Sequence, residues 1–268
     1  MDKHYEGLWA VITGASSGIG YELAKQFALH GFDILVAAED AGIVEAAHSF
    51  SQYGTKVDYI QVDLRKAEEV ERLHSRILQE GRALDAIAIN AGVGVGGASF
   101  DKTDLKTEID LIHLNVVSVV HLTKLVLKDM IEAGHGRILF TSSVAAFMPG
   151  PYEAVYSASK AFVQSFAEGI RAEAKDKGIS ITALQPGPTE TNFFHRSGMD
   201  DTKVGDQEKD RAADVAEDGF EALMAGRDSI IAGSLKNRIQ ANIAKILPQK
   251  VAAKTHESMT KPNNPKDR

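Results

Sequence analysis

A chain of 268 residues, 44% of them hydrophobic, is long enough for one sizeable core and too apolar to be a disordered segment. Its formal net charge of −7 argues against a general nucleic-acid binder, and the lack of cysteine removes disulfides, thiolate metal sites and a cysteine nucleophile. No apolar run approaches the ~20 residues of a membrane span, and Met1 to Glu6 form no signal-peptide apolar region. The expectation is a cytoplasmic protein with neither nucleic acid nor membrane as partner.

The first apolar run, residues 8–13, has the size of a buried strand. It leads into Thr13-Gly14-Ala15-Ser16-Ser17-Gly18-Ile19-Gly20, and Leu23, Ala24, Phe27 and Ala28 follow at helical spacing. Strand, glycine turn and helix are the context of a dinucleotide-binding turn. Gly14 allows the turn, Gly18 leaves room for a pyrophosphate, and Gly20 lets the helix pack close to the sheet. The N–H groups at the helix start then face phosphate. The spacing is Gly-x-x-x-Gly-x-Gly rather than Gly-x-Gly-x-x-Gly, and a ligand-free glycine turn is the other reading of this string alone.

Further strands are predicted at residues 33–38, 56–62, 84–90, 137–143, 179–185 and 229–232. Gly31, Gly54, Gly81, Gly134, Gly178 and Gly226 stand where the intervening helices should stop. Strands alternating with helices predict a single-domain, Rossmann-like, doubly wound α/β sheet of about seven parallel strands. Ligands bind such sheets beyond the carboxyl ends of the strands. Gly14, Asp63, Asn90, Ser143 and Pro186 all lie at or just past such ends.

Tyr156-Ser157-Ala158-Ser159-Lys160 places a tyrosine and a lysine at i and i+4, on one helix face. An ammonium there stabilises phenolate and draws the tyrosine down from ~10, making it usable as a general acid or base. Alone, the pair is common as a solvated surface pair. Here Ser143 lies thirteen residues upstream of the tyrosine.

Together the glycine turn and the Tyr-x-x-x-Lys pair resemble the short-chain dehydrogenase/reductase family, and the resemblance covers roughly residues 7–233. Asn90-Ala91-Gly92 resembles the motif ending that family's fourth strand. Asn115 and Ser143 fall where it carries its catalytic asparagine and serine, and Pro186-Gly187-Pro188-Thr189-Glu190-Thr191 is similar to its loop beneath the nicotinamide. The resemblance implies an NAD(P)-dependent alcohol dehydrogenase or carbonyl reductase. In it Tyr156 exchanges a proton with the substrate oxygen, Ser143 stabilises that oxygen, Lys160 binds the nicotinamide ribose and lowers the Tyr156 pKa, and Asn115 supports a water relay at a local helix distortion. The cofactor would meet Gly14, Ser16, Ser17, Gly18, Ile19, Gly20, Glu39, Asp63, Leu64, Asn90, Ala91, Gly92, Tyr156, Lys160, Pro186, Gly187, Thr189 and Thr191.

Glu39 and Asp40 follow the second strand with no evident cation, so a 2′-phosphate would meet carboxylates. NAD(H) is favoured and NADP(H) is possible, because Ala38 departs from the NAD pattern too. Val93, Val95, Ala145, Phe147, Met148, Phe193 and Phe194 are candidate substrate walls. With no Arg or Lys in residues 144–153, they point to an uncharged or partly apolar carbonyl compound. The scattered His113, His121, His135 and His195 give no metal site. A non-catalytic nucleotide-binding regulatory protein on the same fold is the alternative function. It has no need of the intact Asn115, Ser143, Tyr156 and Lys160 set.

Residues 1–233 form the expected domain, with a polar, irregular lid at 191–210. Residues 234–260 are an amphipathic helical extension broken at Pro248, and 261–268 a disordered tail. Long apolar series around residues 105–131 and 152–175 suggest a homodimer or homotetramer.

Overall fold

The computed structural model describes residues 5–234, 238–239, 242–243 and 247–263. Seven parallel strands form the central sheet: β1 (Trp9–Thr13), β2 (Asp33–Ala38), β3 (Val57–Gln61), β4 (Ala86–Ile89), β5 (Gly136–Thr141), β6 (Ile179–Pro186) and β9 (Ser229–Ala232). Their order is β3-β2-β1-β4-β5-β6-β9, so the chain winds outward from β1 to one edge, returns, and winds to the other. All seven sequence-predicted strands are present within two residues at each end. β1 and β4 are buried along their whole length, as both faces of a covered parallel sheet require.

One face carries α1 (Gly18–Leu29), α2 (Gly42–Phe50) and α9 (Ala212–Met224). Its core contains Phe27, Phe32, Phe50 and Phe220. Phe27 meets Phe220 edge-on, with ring centroids 5.1 Å apart, and a fully buried Phe contributes about 1.5–3 kcal/mol. The other face carries α3 (Ala67–Leu78), α5 (Ser118–Ala133) and α6 (Ala154–Ala174), and packs Leu73, Val119, Leu122, Val126 and Val163 on the sheet. The six glycines predicted to stop helices all have positive φ.

α4 (Leu105–Ile112) starts at Asp104, whose carboxylate accepts the Thr107 N–H at 2.8 Å. It runs through a π turn, His113–Val117, into α5. The continuous helix, residues 105–133, is long and apolar enough by composition to cross a membrane, which no uninterrupted apolar run in the sequence had suggested. Leu111, Leu114, Val119, Leu122, Val126 and Met130 on it are buried in the molecule's own core.

The segment expected to be irregular is partly ordered. β7 (Thr189–Glu190) pairs in parallel with β8 (Asp210–Arg211), and α7 (Phe193–Arg196) and α8 (Lys203–Asp206) lie between them. Phe194, Met199 and Val204 give this lid a small core of its own. The final helix, α10 (Gln249–Thr260), begins after Pro248 as expected and packs on α8. The predicted tail is tied down at its start: Pro262 bridges to Thr202, and the Asn263 N–H donates to the Asp201 carbonyl at 2.9 Å. Its remainder, 264–268, lies outside the described residues, as does much of the predicted extension between 235 and 246.

Candidate active site

The carboxyl ends of β1, β4, β5 and β6 open into one cleft of about 930 Å³, closed on its far side by the lid and α10. At its floor, Thr13 organises the crossover between β1 and β4. Its hydroxyl oxygen accepts the N–H groups of Asn90 and Ala91, each at 3.0 Å, and its hydroxyl donates to the Ala88 carbonyl at 3.3 Å. The Asn90 amide donates to the Thr13 carbonyl at 3.1 Å and accepts the Thr141 hydroxyl at 2.9 Å, which ties β1, β4 and β5 together at the cleft.

The glycine turn fits a dinucleotide on its own geometry. A Cβ at Gly20 would lie 2.1 Å from the Gly14 carbonyl oxygen and 2.4 Å from the Asn90 amide nitrogen, so only glycine lets α1 approach the sheet this closely. Gly14 has φ of 66°. The Ser17 side chain makes no capping bond and the first turn of α1 carries no acidic residue. The leading N–H groups and the positive end of the helix dipole are thereby left to an anion.

The π turn holds Asn115. Its amide donates to the Val93 carbonyl at 2.8 Å and to the Ser159 hydroxyl at 3.1 Å, and its carbonyl accepts the Val93 N–H at 3.0 Å. Asn115 lies behind the cleft wall, joining the loop after β4 to α6. Gly92 separates it from Lys160: a Cβ there would stand 3.2 Å from the Asn115 amide oxygen and 3.3 Å from the Lys160 Nζ.

Ser143 closes β5 and caps the short 3-10 turn Val144–Phe147, accepting the Ala145 N–H at 3.1 Å. Tyr156 and Lys160 project from one face of α6 as their spacing predicts, and the Lys160 Nζ is 5.9 Å from the phenol ring centroid. Lys160 donates to the Thr141 carbonyl at 2.9 Å. Burial draws its ammonium from 10.5 down to about 8. Burial pushes the Tyr156 phenol above its ordinary value; the nearby Glu153 carboxylate adds to this, and the hydrogen bond with Ser143 opposes it. The expected lowering of the tyrosine by Lys160 is thus outweighed in the protein alone, because desolvation disfavours phenolate.

The far end of the cleft departs from the expectation that no cation stands near the second strand. Glu39 accepts Arg65 at 2.9 Å and Arg196 at 3.3 Å. The two arginines come from the turn after β3 and from α7, where no count from the glycine motif would find them. Arg65 also holds Asp63, at 2.8 Å, and that pairing keeps the Asp63 carboxyl below the usual carboxylate range. Asp63 itself does not line the cleft, whereas Leu64 and Arg65 do. Every other predicted cofactor residue lines it. Of the predicted substrate walls, Val93, Val95, Ala145, Met148, Phe193 and Phe194 line it and Phe147 does not; the Phe193 ring lies 5.2 Å from that of Tyr156. Among the described residues no cluster of His, Asp or Glu could hold a metal ion.

A doubly wound sheet with a glycine cradle at its first helix and a buried Ser-Tyr-Lys set beside it defines a nicotinamide-dependent oxidoreductase. Residues 8–202 match the short chain dehydrogenase family model. The chain is 36% identical over 186 residues to the very-long-chain 3-oxoacyl-CoA reductase of Anas platyrhynchos, covering 67% of this chain and 59% of that one. It is 31% identical over 250 residues to the 17-beta-hydroxysteroid dehydrogenase type 3 of Mus musculus, covering 91% and 78%. Its fold is similar to that of a Sphingobium yanoikuyae short-chain dehydrogenase in complex with NADPH, with a TM-score of 0.79, 26% identity, and coverage of 90% and 96%. The chain belongs to the short-chain dehydrogenase/reductase family of NAD(P)-dependent oxidoreductases.

Proposed function

We propose that the protein interconverts a secondary alcohol and a bulky, largely apolar ketone. The observation that carries this reading is the placing of Ser143 and Tyr156 together in the cleft, against a wall built from Val93, Val95, Ala145, Met148 and Phe193. Those side chains fit an uncharged carbon skeleton, and the two hydroxyls fit one oxygen. The names of the duck and mouse relatives, an oxoacyl reductase and a steroid dehydrogenase, agree with such a substrate.

The nicotinamide cofactor supplies or accepts hydride when bound. In reduction, Ser143 donates a hydrogen bond to the substrate oxygen and stabilises its developing negative charge. Tyr156 delivers the proton that turns the oxygen into a hydroxyl, and in oxidation it takes that proton back. Lys160 keeps a positive charge next to the phenol, so phenolate is less costly once the proton has left. Phe193 and the lid close over the walls and exclude water. The nucleotide-binding regulatory alternative requires the glycine cradle but gives no reason to bury a lysine beside a tyrosine, and the enzyme reading accounts for both.

NAD(H) is the favoured cofactor on the ground that Glu39 engages both arginines, so a 2′-phosphate would have to draw Arg65 and Arg196 away from carboxylates. NADP(H) is the second reading, and those same arginines are the observation in its favour. The exposed faces of Ile109, Val117, Val120 and Phe162 on α4–α6 support association as a homodimer or homotetramer.

The test is NADH and NADPH consumption with a panel of 2-alkanones, aryl ketones, ketosteroids and 3-oxoacyl thioesters. Turnover of the larger apolar ketones is expected. Inertness towards the whole panel contradicts the reading.

A further inference from the structure

Glu153 stands just before α6, and its carboxylate is buried, at 6% residue exposure. A buried carboxylate needs partners. Among the described residues it has two, both on the same oxygen: the Ser157 hydroxyl at 2.9 Å and the His256 Nε2 at 2.7 Å. His256 comes from α10, more than a hundred positions later in the chain, and is itself buried, at 7% exposure. With the carboxylate ionised, Nε2–H is the donor. The His256 Nδ1 has no partner among the described residues.

The loop carrying Glu153 is held in an unusual shape around this contact. Tyr152 is the only non-glycine residue with positive φ among the described residues, at 62°. The loop also touches α6 so closely at Gly150 that a Cβ there would lie 2.0 Å from the Ser157 hydroxyl oxygen. α10 grips the loop a second time through Thr260, whose hydroxyl donates to the Pro151 carbonyl at 2.7 Å. Strain beside a catalytic group persists only where surrounding contacts over-determine it, and here α10 supplies two of them.

We infer that His256 is a positioning residue for the proton transfer: it fixes the Glu153 carboxylate beside Tyr156 and thereby makes the C-terminal helix part of the catalytic centre. The charged and titratable groups around this set are few. Tyr156 faces Lys160 from its own helix, Glu153 from the turn before it, and the Ser143 hydroxyl from the start of the 3-10 turn after β5. Glu153 faces His256 from α10. Lys203 of α8 lines the same cleft. A negative charge at Glu153 keeps the proton on the phenol, which suits a residue that must donate it to a ketone. Removing His256 leaves that buried carboxylate with the Ser157 hydroxyl alone, so it is no longer held in its place and its field at Tyr156 weakens.

The inference rests on Tyr156 as the proton donor. The experiment measures kcat and kcat/KM against pH, for ketone reduction by the full chain with the fastest ketone of the panel above. Wild type is compared with Glu153→Gln, His256→Leu, the double variant and His256→Gln; Tyr156→Phe serves as control, and cofactor affinity is read by fluorescence. In Glu153→Gln and His256→Leu the basic limb of kcat moves down by about one pH unit while NADH affinity is unchanged. The double variant moves no further than Glu153→Gln, because His256 acts through Glu153. His256→Gln, which keeps a donor for the carboxylate, stays closer to wild type than His256→Leu does. A basic limb that stays in place in Glu153→Gln overturns the inference, and this isosteric variant decides alone should His256→Leu fail to fold. So does a double variant whose loss equals the product of the single losses. Full turnover by Tyr156→Phe, or no turnover by wild type, fails the functional reading instead.

Discussion

Replacing Lys160 by methionine tests the electrostatics of the site without any substrate. Lys160 is 6% exposed, and burial lowers its ammonium from 10.5 to about 8. Between those two values the unfolded chain holds a proton that the folded protein has released. The unfolded state therefore binds more protons across this window, and stability contributed by this group rises with pH. Each unit is worth about 1.4 kcal/mol, so from about pH 7 to about pH 10 the wild type gains roughly 2–3 kcal/mol that Lys160→Met does not. Loss of the bond to the Thr141 carbonyl, about 1–3 kcal/mol, displaces the variant's curve without giving it that slope. Measurement stops near pH 10, where tyrosines of the unfolded chain begin to ionise. The assay is urea unfolding of cofactor-free protein, followed by circular dichroism at a series of pH values. The difference between wild type and variant should climb with pH; a difference constant to within about 0.5 kcal/mol would refute the claim that Lys160 is held in a desolvated site.

Gly20→Ala forces a methyl against the Gly14 carbonyl, and should weaken NADH binding at least about tenfold while lowering stability by about 1–3 kcal/mol; calorimetric titration and thermal unfolding check both. Glu39→Gln removes the charge that holds Arg65 and Arg196, and should shift the NADPH-to-NADH affinity ratio upward by about tenfold. An unchanged ratio in fluorescence titrations shows that the arginines do not reach the cofactor. Sedimentation equilibrium at micromolar concentration should return a multiple of the 28.9 kDa chain mass, and a monomer would contradict the proposed burial of the α4–α6 face.

What the sequence made legible was local. Alternating apolar runs and helix-ending glycines located all seven sheet strands, since the central strands such as β1 and β4 are buried along their whole length and the six turns from a helix into a sheet strand each carry a left-handed glycine. Gly14, Gly20, Ser143, Tyr156 and Lys160 were legible because their chemistry depends on short spacings and on strand ends. Side chains that reach the cleft across the fold were not. Arg65 and Arg196 arrive at Glu39 from separate elements, so counting from the glycine turn found only carboxylates there. His256 meets Glu153 across more than a hundred residues, and nothing in its own neighbourhood marks it. Thr13, whose hydroxyl orders the β1–β4 crossover, reads in sequence as an ordinary strand residue. Asp63 was correctly placed at a strand end, yet its side chain is spent on Arg65 and does not line the cleft.

Proton transfer by Tyr156 is the central claim, and the most direct test is Tyr156→Phe. The substitution removes one hydroxyl from a residue that is 9% exposed and leaves the ring against Phe193. With saturating NADH or NADPH and a bulky apolar ketone, the variant should bind cofactor as wild type does and lose about 10²–10⁴-fold in kcat. A folded Tyr156→Phe protein that reduces the ketone at the wild-type rate would contradict the account.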